Sequence, residues 1–230
     1  MSPHPMQHWN VDLHMHTRHS RDAVLTPAEL IACARAAGLD RIAITDHNTL
    51  DGAHEAAAID PDFVIPGEEI DCAGGGHLIG LFLTNAIPPG LPLEHIAARI
   101  RDQGGIVYAP HPFAHLWNGA ERARRAIAIA DVIEVHNSRA FAPAWNRRAA
   151  DAARRTGLPA AAGSDSHFTR EVGSAYTEMP PFHDVATFRA ALAGARPVGL
   201  RTASPLVHVA SVGTHLLRAA TDRLPRRSRA

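Results

Sequence analysis

The chain repeats a strand-then-helix unit about six times, and nearly every strand ends in a residue type that can bind a metal ion. The first unit sets the pattern. Val11-Asp-Leu-His-Met-His16 alternates strictly, so Val11, Leu13 and Met15 point one way and Asp12, His14 and His16 the other. Thr26-Pro-Ala-Glu29 then reads as a capping box with proline at the first helical position, and Gly38 stops the helix. Further strands are expected at 41–45, 63–65, 77–83, 106–109, 132–135 and 159–162. Helices are expected at 53–58, 93–103, 121–130, 142–156, 185–192 and 207–220. Such a rhythm predicts an α/β fold whose parallel sheet is covered by helices, in a closed or nearly closed barrel.

In a βα barrel the C-terminal ends of the strands open on one face. Residues far apart in sequence then meet: His14 and His16 with Asp22 on the following loop, His47, Glu69, His77, His111, Asn137, Asp165 and His167. The His-x-His pair has a direct use, because residues two apart on a strand share a face. Asp12 shares that face and could orient a ligand histidine from behind. A carboxylate can bridge two ions and an imidazole cannot. Many histidines with a few carboxylates suit Zn, Mn or Fe and disfavour Ca or Mg. His4, His8, His19, His54, His95, His183, His208 and His215 fall outside the pattern and read as ordinary surface or hydrogen-bonded side chains.

Composition removes other classes. Sixteen histidines stand against two tyrosines and three tryptophans. Positive and negative charges are both 23, so neither a nucleic-acid scaffold nor an acidic solvating tail is expected. Cys33 and Cys72 are far apart and form no CxxC pair, which argues against a disulfide framework or thiolate zinc. No apolar stretch is long enough for a bilayer and no leader pattern precedes Val11, so a cytoplasmic enzyme without a membrane partner is expected. Residues 1–9 read as an extension, 10–200 as the domain, and 201–230 as a C-terminal helix with a basic tail.

Taken in order, Asp12-Leu-His-Met-His-Thr17, Asp22, Ile44-Thr-Asp-His-Asn48, Pro66-Gly-Glu-Glu69, His77, His111-Pro112, Glu134-Val-His-Asn137 and Gly163-Ser-Asp-Ser-His167 resemble the PHP (polymerase and histidinol phosphatase) domain. The resemblance implies a distorted (β/α)7 TIM-like barrel with three divalent metal ions and phosphoesterase activity. By position, one ion would take His14, His16, Glu69 and Asp165. A second would take Glu69, His77 and His111, and a third Asp22, His47 and His167. Glu69 and Asp165 would serve catalysis directly. Arg139 is similar to an arginine that contacts substrate phosphate, and Asn137 and Arg18 are weaker substrate contacts.

The expected chemistry is hydrolysis of a phosphomonoester of a small metabolite or nucleotide by cation-activated water, with His19, His115 or a metal-bound water open as the general acid. The stretch between 83 and 93 is short, which leaves the substrate pocket open. Two alternatives stay open: a nuclease or phosphodiesterase acting on short oligonucleotides, and a non-catalytic metal-binding scaffold.

Overall fold

The computed structural model describes residues 8–114, 119–204 and 206–222; His4, His115 and the basic tail lie outside them. Among the described residues, nine strands form one sheet in the order β7-β6-β5-β4-β3-β2-β1-β8-β9. They are β1 (Trp9–Met15), β2 (Arg41–Ile44), β3 (Val64–Asp71), β4 (His77–Leu81), β5 (Ile106–Ala109), β6 (Val132–Asn137), β7 (Ala160–Gly163), β8 (Tyr176–Met179) and β9 (Arg196–Val198). The helices are α1 (Pro27–Ala36), α2 (Asp51–Ile59), α3 (Leu93–Asp102), α4 (Gly119–Ile129), α5 (Pro143–Thr156), α6 (Val185–Ala191) and α7 (Leu206–Asp222). The capping box of α1 forms as expected: Thr26 Oγ1 accepts the Glu29 N–H, and Glu29 accepts the Thr26 N–H.

The β7 end of the sheet comes round to meet β1. The Asp165 N–H donates to His14 O at 2.8 Å and the His16 N–H to Ser166 O at 2.9 Å, so the segment after β7 pairs with β1. Asp12 Oδ1 accepts the Ser164 N–H at 3.1 Å across 152 residues of sequence. Gly163 permits this approach, since a Cβ there would lie 2.6 Å from both His14 Cβ and Glu134 Oε1. The result is the nearly closed barrel-like sheet expected. One apolar cluster draws on every strand from β1 to β7, including Leu13, Ala43, Ile65, Ile79, Tyr108, Val132 and Ala161. A second fills the space between the sheet and α1, α2 and α3.

Three features differ from the expected pattern. β3 runs on through Pro66-Gly-Glu-Glu69, because residues 67–71 pair antiparallel with β4. β4 is antiparallel to both neighbours, so His77 at its start reaches the same rim as the ends of the parallel strands. β8 and β9 were not expected; they are short, and β8 pairs antiparallel with β1 on the side away from β2. No helix among the described residues is long and apolar enough to cross a membrane.

Candidate metal centre

Glu69 lies at the middle of the rim, fully enclosed by imidazoles. Its Oε2 is 3.3 Å from His14 Nε2, 3.4 Å from His16 Nε2 and 3.2 Å from His47 Nδ1. Its Oε1 is 3.0 Å from His77 Nδ1 and 3.0 Å from His111 Nε2. Strand alternation turns Glu68 the other way, where its Oε2 accepts the Ile87 N–H at 2.8 Å. Asp165 Oδ1 lies 3.6 Å from His14 Nε2, 3.3 Å from His16 Nε2 and 3.5 Å from His167 Nδ1. Asp22 Oδ2 completes the group, 3.1 Å from His167 Nε2 and 4.0 Å from His47 Nε2. All nine expected ligands therefore converge.

Three sets of these residues place ligand atoms within 4.8 Å of one another: His14 with Glu69 and His111, His14 with His16 and Asp165, and His16 with His47 and His167. The first and last sets differ from the expected groupings, in which His77 stands in place of His14 and Asp22 in place of His16.

A second layer of groups fixes the tautomers, and this decides whether cations fit. His14 Nδ1 faces Glu134 Oε1 at 3.0 Å. His77 Nε2 faces Asp71 Oδ1 at 3.1 Å. His167 Nδ1 faces the backbone carbonyl of Asp165 at 2.8 Å. His16 Nδ1 is 3.1 Å from Ser20 Oγ, whose own proton goes to Asp46 Oδ1 at 2.6 Å. Each of these outer nitrogens meets an acceptor and must carry a proton. In a neutral ring the inner nitrogen then presents a lone pair to Glu69, Asp165 or Asp22. Acceptor facing acceptor is unfavourable unless a positive charge stands between them. The buried His16 Nε2 and Asp22 Oδ1 atoms make no hydrogen bond, as ligand atoms aimed at an ion would not. The residues present fit a divalent-cation centre of mixed nitrogen and oxygen donors.

Without an ion, protons would take that place. Burial lowers the affinity of His14 and His16 for protons, but Asp165, Glu69 and, for His14, Glu134 outweigh it. His14 is held well above the ordinary imidazole value and His16 is pushed up to about 9. Against the same burial penalty, Glu69 and Asp71 push His77 up to about 10. His47 goes the other way, to about 4, through burial and its neighbours His16 and His167. Burial would raise Glu69, Asp165 and Asp22, yet the imidazoles around them hold all three below the ordinary carboxylate range.

Backbone strain marks the rim as well. His111 and Asp165 have φ of 25° and 53°, in the left-handed region that L-residues seldom adopt. Glu134 Oε2 accepts the His111 N–H at 2.6 Å, and His14 O accepts the Asp165 N–H, so both are pinned there.

Asp12 does not orient a ligand ring. Its Oδ1 accepts the backbone N–H groups of His14 and Ser164, and Glu134 takes the role foreseen for it. Asn137 lines the cavity, but its amide donates to Glu134 Oε2 at 3.0 Å and Asp165 Oδ2 at 3.1 Å. Arg139 also lines it, with its guanidinium on Glu171 at 3.1 Å and on Ser211 Oγ at 2.7 Å. Arg18 lies apart from the cavity wall, against Glu55 at 3.5 Å. His19 Nε2 also meets Glu55, at 2.9 Å, and lines an adjoining polar cavity with His215.

A barrel-like sheet with a histidine–carboxylate cluster on its rim defines an α/β protein built around a metal centre. The PHP domain model matches residues 12–66, and the PHP-associated model matches residues 143–196. The uncharacterized protein MJ0417 of Methanocaldococcus jannaschii is 38% identical over 178 residues, covering 74% of this chain and 70% of that one. The chain belongs to the PHP domain family. A 3′,5′-nucleoside bisphosphate phosphatase of Chromobacterium violaceum is 42% identical over 87 residues, 34% of this chain and 30% of that protein. Among solved structures, a two-domain Bacteroides vulgatus protein containing a predicted PHP-like metal-dependent phosphoesterase has a TM-score of 0.65 at 17% identity, covering 91% of this chain and 70% of that one. A lesion-specific endonuclease of Pyrococcus furiosus has a TM-score of 0.58 at 16% identity, covering 83% and 58%. These two likenesses show the fold alone.

Proposed function

We propose that the chain hydrolyses a phosphomonoester of a small metabolite or nucleotide at a centre of divalent cations, held by His14, His16, Asp22, His47, Glu69, His77, His111, Asp165 and His167. The observation that carries this is the fixed tautomers: four imidazoles spend their outer nitrogen on an acceptor and turn the inner one on a carboxylate. Bound cations would supply Lewis acidity toward a water molecule and the phosphate oxygens.

The chain's own groups orient that chemistry. Glu69 and Asp165 each face several imidazoles and are the carboxylates suited to bridging. Asn137 and Glu134 hold Asp165, His14 and His111 in place. Arg139 stands at the cavity edge, fixed by Glu171, as a positive charge for a phosphate oxygen. A new P–O bond forms to water, the ester P–O bond breaks, and the alcohol leaves with a proton. Cys72 is no nucleophile at neutral pH, since burial pushes its thiol up to about 12. The nucleotide option draws support from the Chromobacterium violaceum relative.

The test is phosphate release from a panel of nucleoside, sugar and amino-alcohol phosphates beside cleavage of a labelled oligonucleotide, each with Mn, Zn or Fe. Release from monoesters is expected, with His14→Ala and Asp165→Asn at least roughly a hundredfold slower. Oligomer cleavage without monoester turnover would replace this reading with a nuclease. Stoichiometric metal without turnover of either would leave a scaffold.

A further inference from the structure

The solvent side of α7 carries the five most exposed large apolar side chains among the described residues. They are Leu206, Val209, Val212, Leu216 and Leu217, each between 60% and 74% exposed. At about 100° per residue they fall within an arc of roughly 140°. Ser211 and Arg218 lie on the other side and tie the helix to the barrel. Ser211 Oγ accepts from Arg139 at 2.7 Å, and Arg218 donates to the carbonyls of Arg18 and Ser20 at 2.8 Å. An ordinary surface helix buries its apolar stripe and wets its polar one. Here polar ties hold the apolar stripe outward.

The charges around this stripe all have one sign but for a single residue. From Leu206 to Leu217 the sequence holds no Asp, Glu, Lys or Arg. After it come Arg218 and then Arg223, Arg226, Arg227 and Arg229, and Asp222 is the one acidic residue beyond 206. At the start of α7, Leu206 lines a cavity of about 750 Å³ together with Val24, Arg170 and Arg201, all of them exposed. Glu171 lines that cavity too, but its carboxylate is engaged by Arg139. The apolar surface thus runs on from Leu206 to Val24. Arginines stand beside its beginning in the structure and follow its end in the sequence.

We propose that α7 lies in the plane of an anionic phospholipid surface, with its five exposed apolar side chains at the acyl–headgroup boundary and the arginines on lipid phosphates. Such a surface satisfies both features at once: the aliphatic groups leave water and the cations meet negative headgroups. A second copy of the chain fits less well. A helix of 17 residues is about 25 Å long, and its exposed stripe offers on the order of a few hundred Å², against roughly 800 Å² per partner in a stable interface. The expectation of no membrane partner rests on the lack of a spanning segment, and a helix lying in the interface needs none.

The experiment is flotation of the full chain with vesicles of phosphatidylcholine, alone or mixed with phosphatidylserine, at low and high salt. Binding to the mixed vesicles is expected to weaken with salt and to exceed binding to phosphatidylcholine roughly tenfold. Leu216→Glu combined with Leu217→Glu should lower partitioning at least roughly tenfold, and so should the combination Arg226→Gln, Arg227→Gln and Arg229→Gln. The glutamates replace exposed side chains, so the melting temperature should be kept; if it is not, Leu216→Ser with Leu217→Ser takes their place. No binding to the mixed vesicles overturns the proposal. Undiminished binding of the leucine variant does so as well, because the arginines would then act alone. Equal binding to both kinds of vesicle overturns the choice of anionic lipid. A dimer seen by light scattering without lipid, and dissociated by the leucine substitutions, would give this face to a second copy and also overturn it.

Discussion

Glu134 shows how much a single buried side chain can organise. One carboxylate orients His14 through Nδ1, pins the strained backbone of His111 and receives the amide of Asn137, which in turn holds Asp165. It does this from the middle of β6, 120 residues from His14 in sequence. Groups that orient metal ligands typically change affinity by about 10–100-fold when removed. Glu134→Ala is therefore expected to weaken divalent-cation binding by roughly that factor while the far-ultraviolet spectrum stays unchanged. Calorimetric titration with Mn or Zn measures it; unaltered affinity would show that the imidazoles need no such support. The contrast with the ligands explains what the sequence reveals. His14, His47, His111 and Asp165 stand at or just beyond the ends of strands, where residue type and position point the same way. Glu134 and Asp46 act through hydrogen bonds to residues distant in sequence, and Ser20 and Asp71 act across loops and turns, where no strand or helix spacing records the contact. Asp12 misleads for the same reason: it shares a face with His14, but barrel closure gives its oxygen to the Ser164 N–H instead.

Among the elements, the parallel strands and their helices follow from apolar periodicity, and β8 and β9 do not. β8 has four residues and β9 three, too few for a pattern to emerge, and what fixes them is pairing with β1 and with each other. α7 is periodic in sequence but sits the opposite way from an ordinary amphipathic helix. Leu206, Val209, Val212, Leu216 and Leu217 are exposed, while Ser211, which is buried, and Arg218, which is partly exposed, face the barrel. Ser211 Oγ accepts from Arg139, and Arg218 donates to the carbonyls of Arg18 and Ser20, both at 2.8 Å. These polar ties end on the loop that carries Ser20 and Asp22 and on the loop after β6. Removing residues 206–230 should cost the barrel little, since no described residue of α7 belongs to the core clusters. It should instead free the 18–22 loop, seen as faster amide exchange there and as weaker cation binding at Asp22 and His167. A large drop in melting temperature with unchanged loop exchange would mean that α7 is part of the core after all.

For the molecule as a whole, the centre joins β1, β3 and β4 and the loops after β2, β5 and β7, so what fills it governs how firmly the barrel closes. In chelator, protons must screen the carboxylates from one another. His16 and His77 have values raised to about 9 and about 10, above their ordinary 6.5. The stability from those charged pairs is present in full below about 6.5 and is lost as pH rises through 9 and 10. Burial raises Asp12 and Glu68 to about 7, so they titrate below this range, and the chain contains no lysine to confuse it. The melting temperature of the stripped protein should therefore fall between pH 8 and pH 10.5, through these two histidines together with His14, which the same carboxylates also hold well above the ordinary imidazole value. Bound Mn or Zn takes over the same role without needing the protons. The ion should raise the melting temperature at pH 8 and flatten its decline toward higher pH. At a free ion concentration a thousandfold above Kd the gain is about 4 kcal/mol per site. Differential scanning calorimetry at both pH values, with chelator and with ion, measures all of this. A stripped protein indifferent to pH over that range, and equally indifferent to added ion, would mean that the rim histidines and carboxylates are an ordinary hydrogen-bonded network.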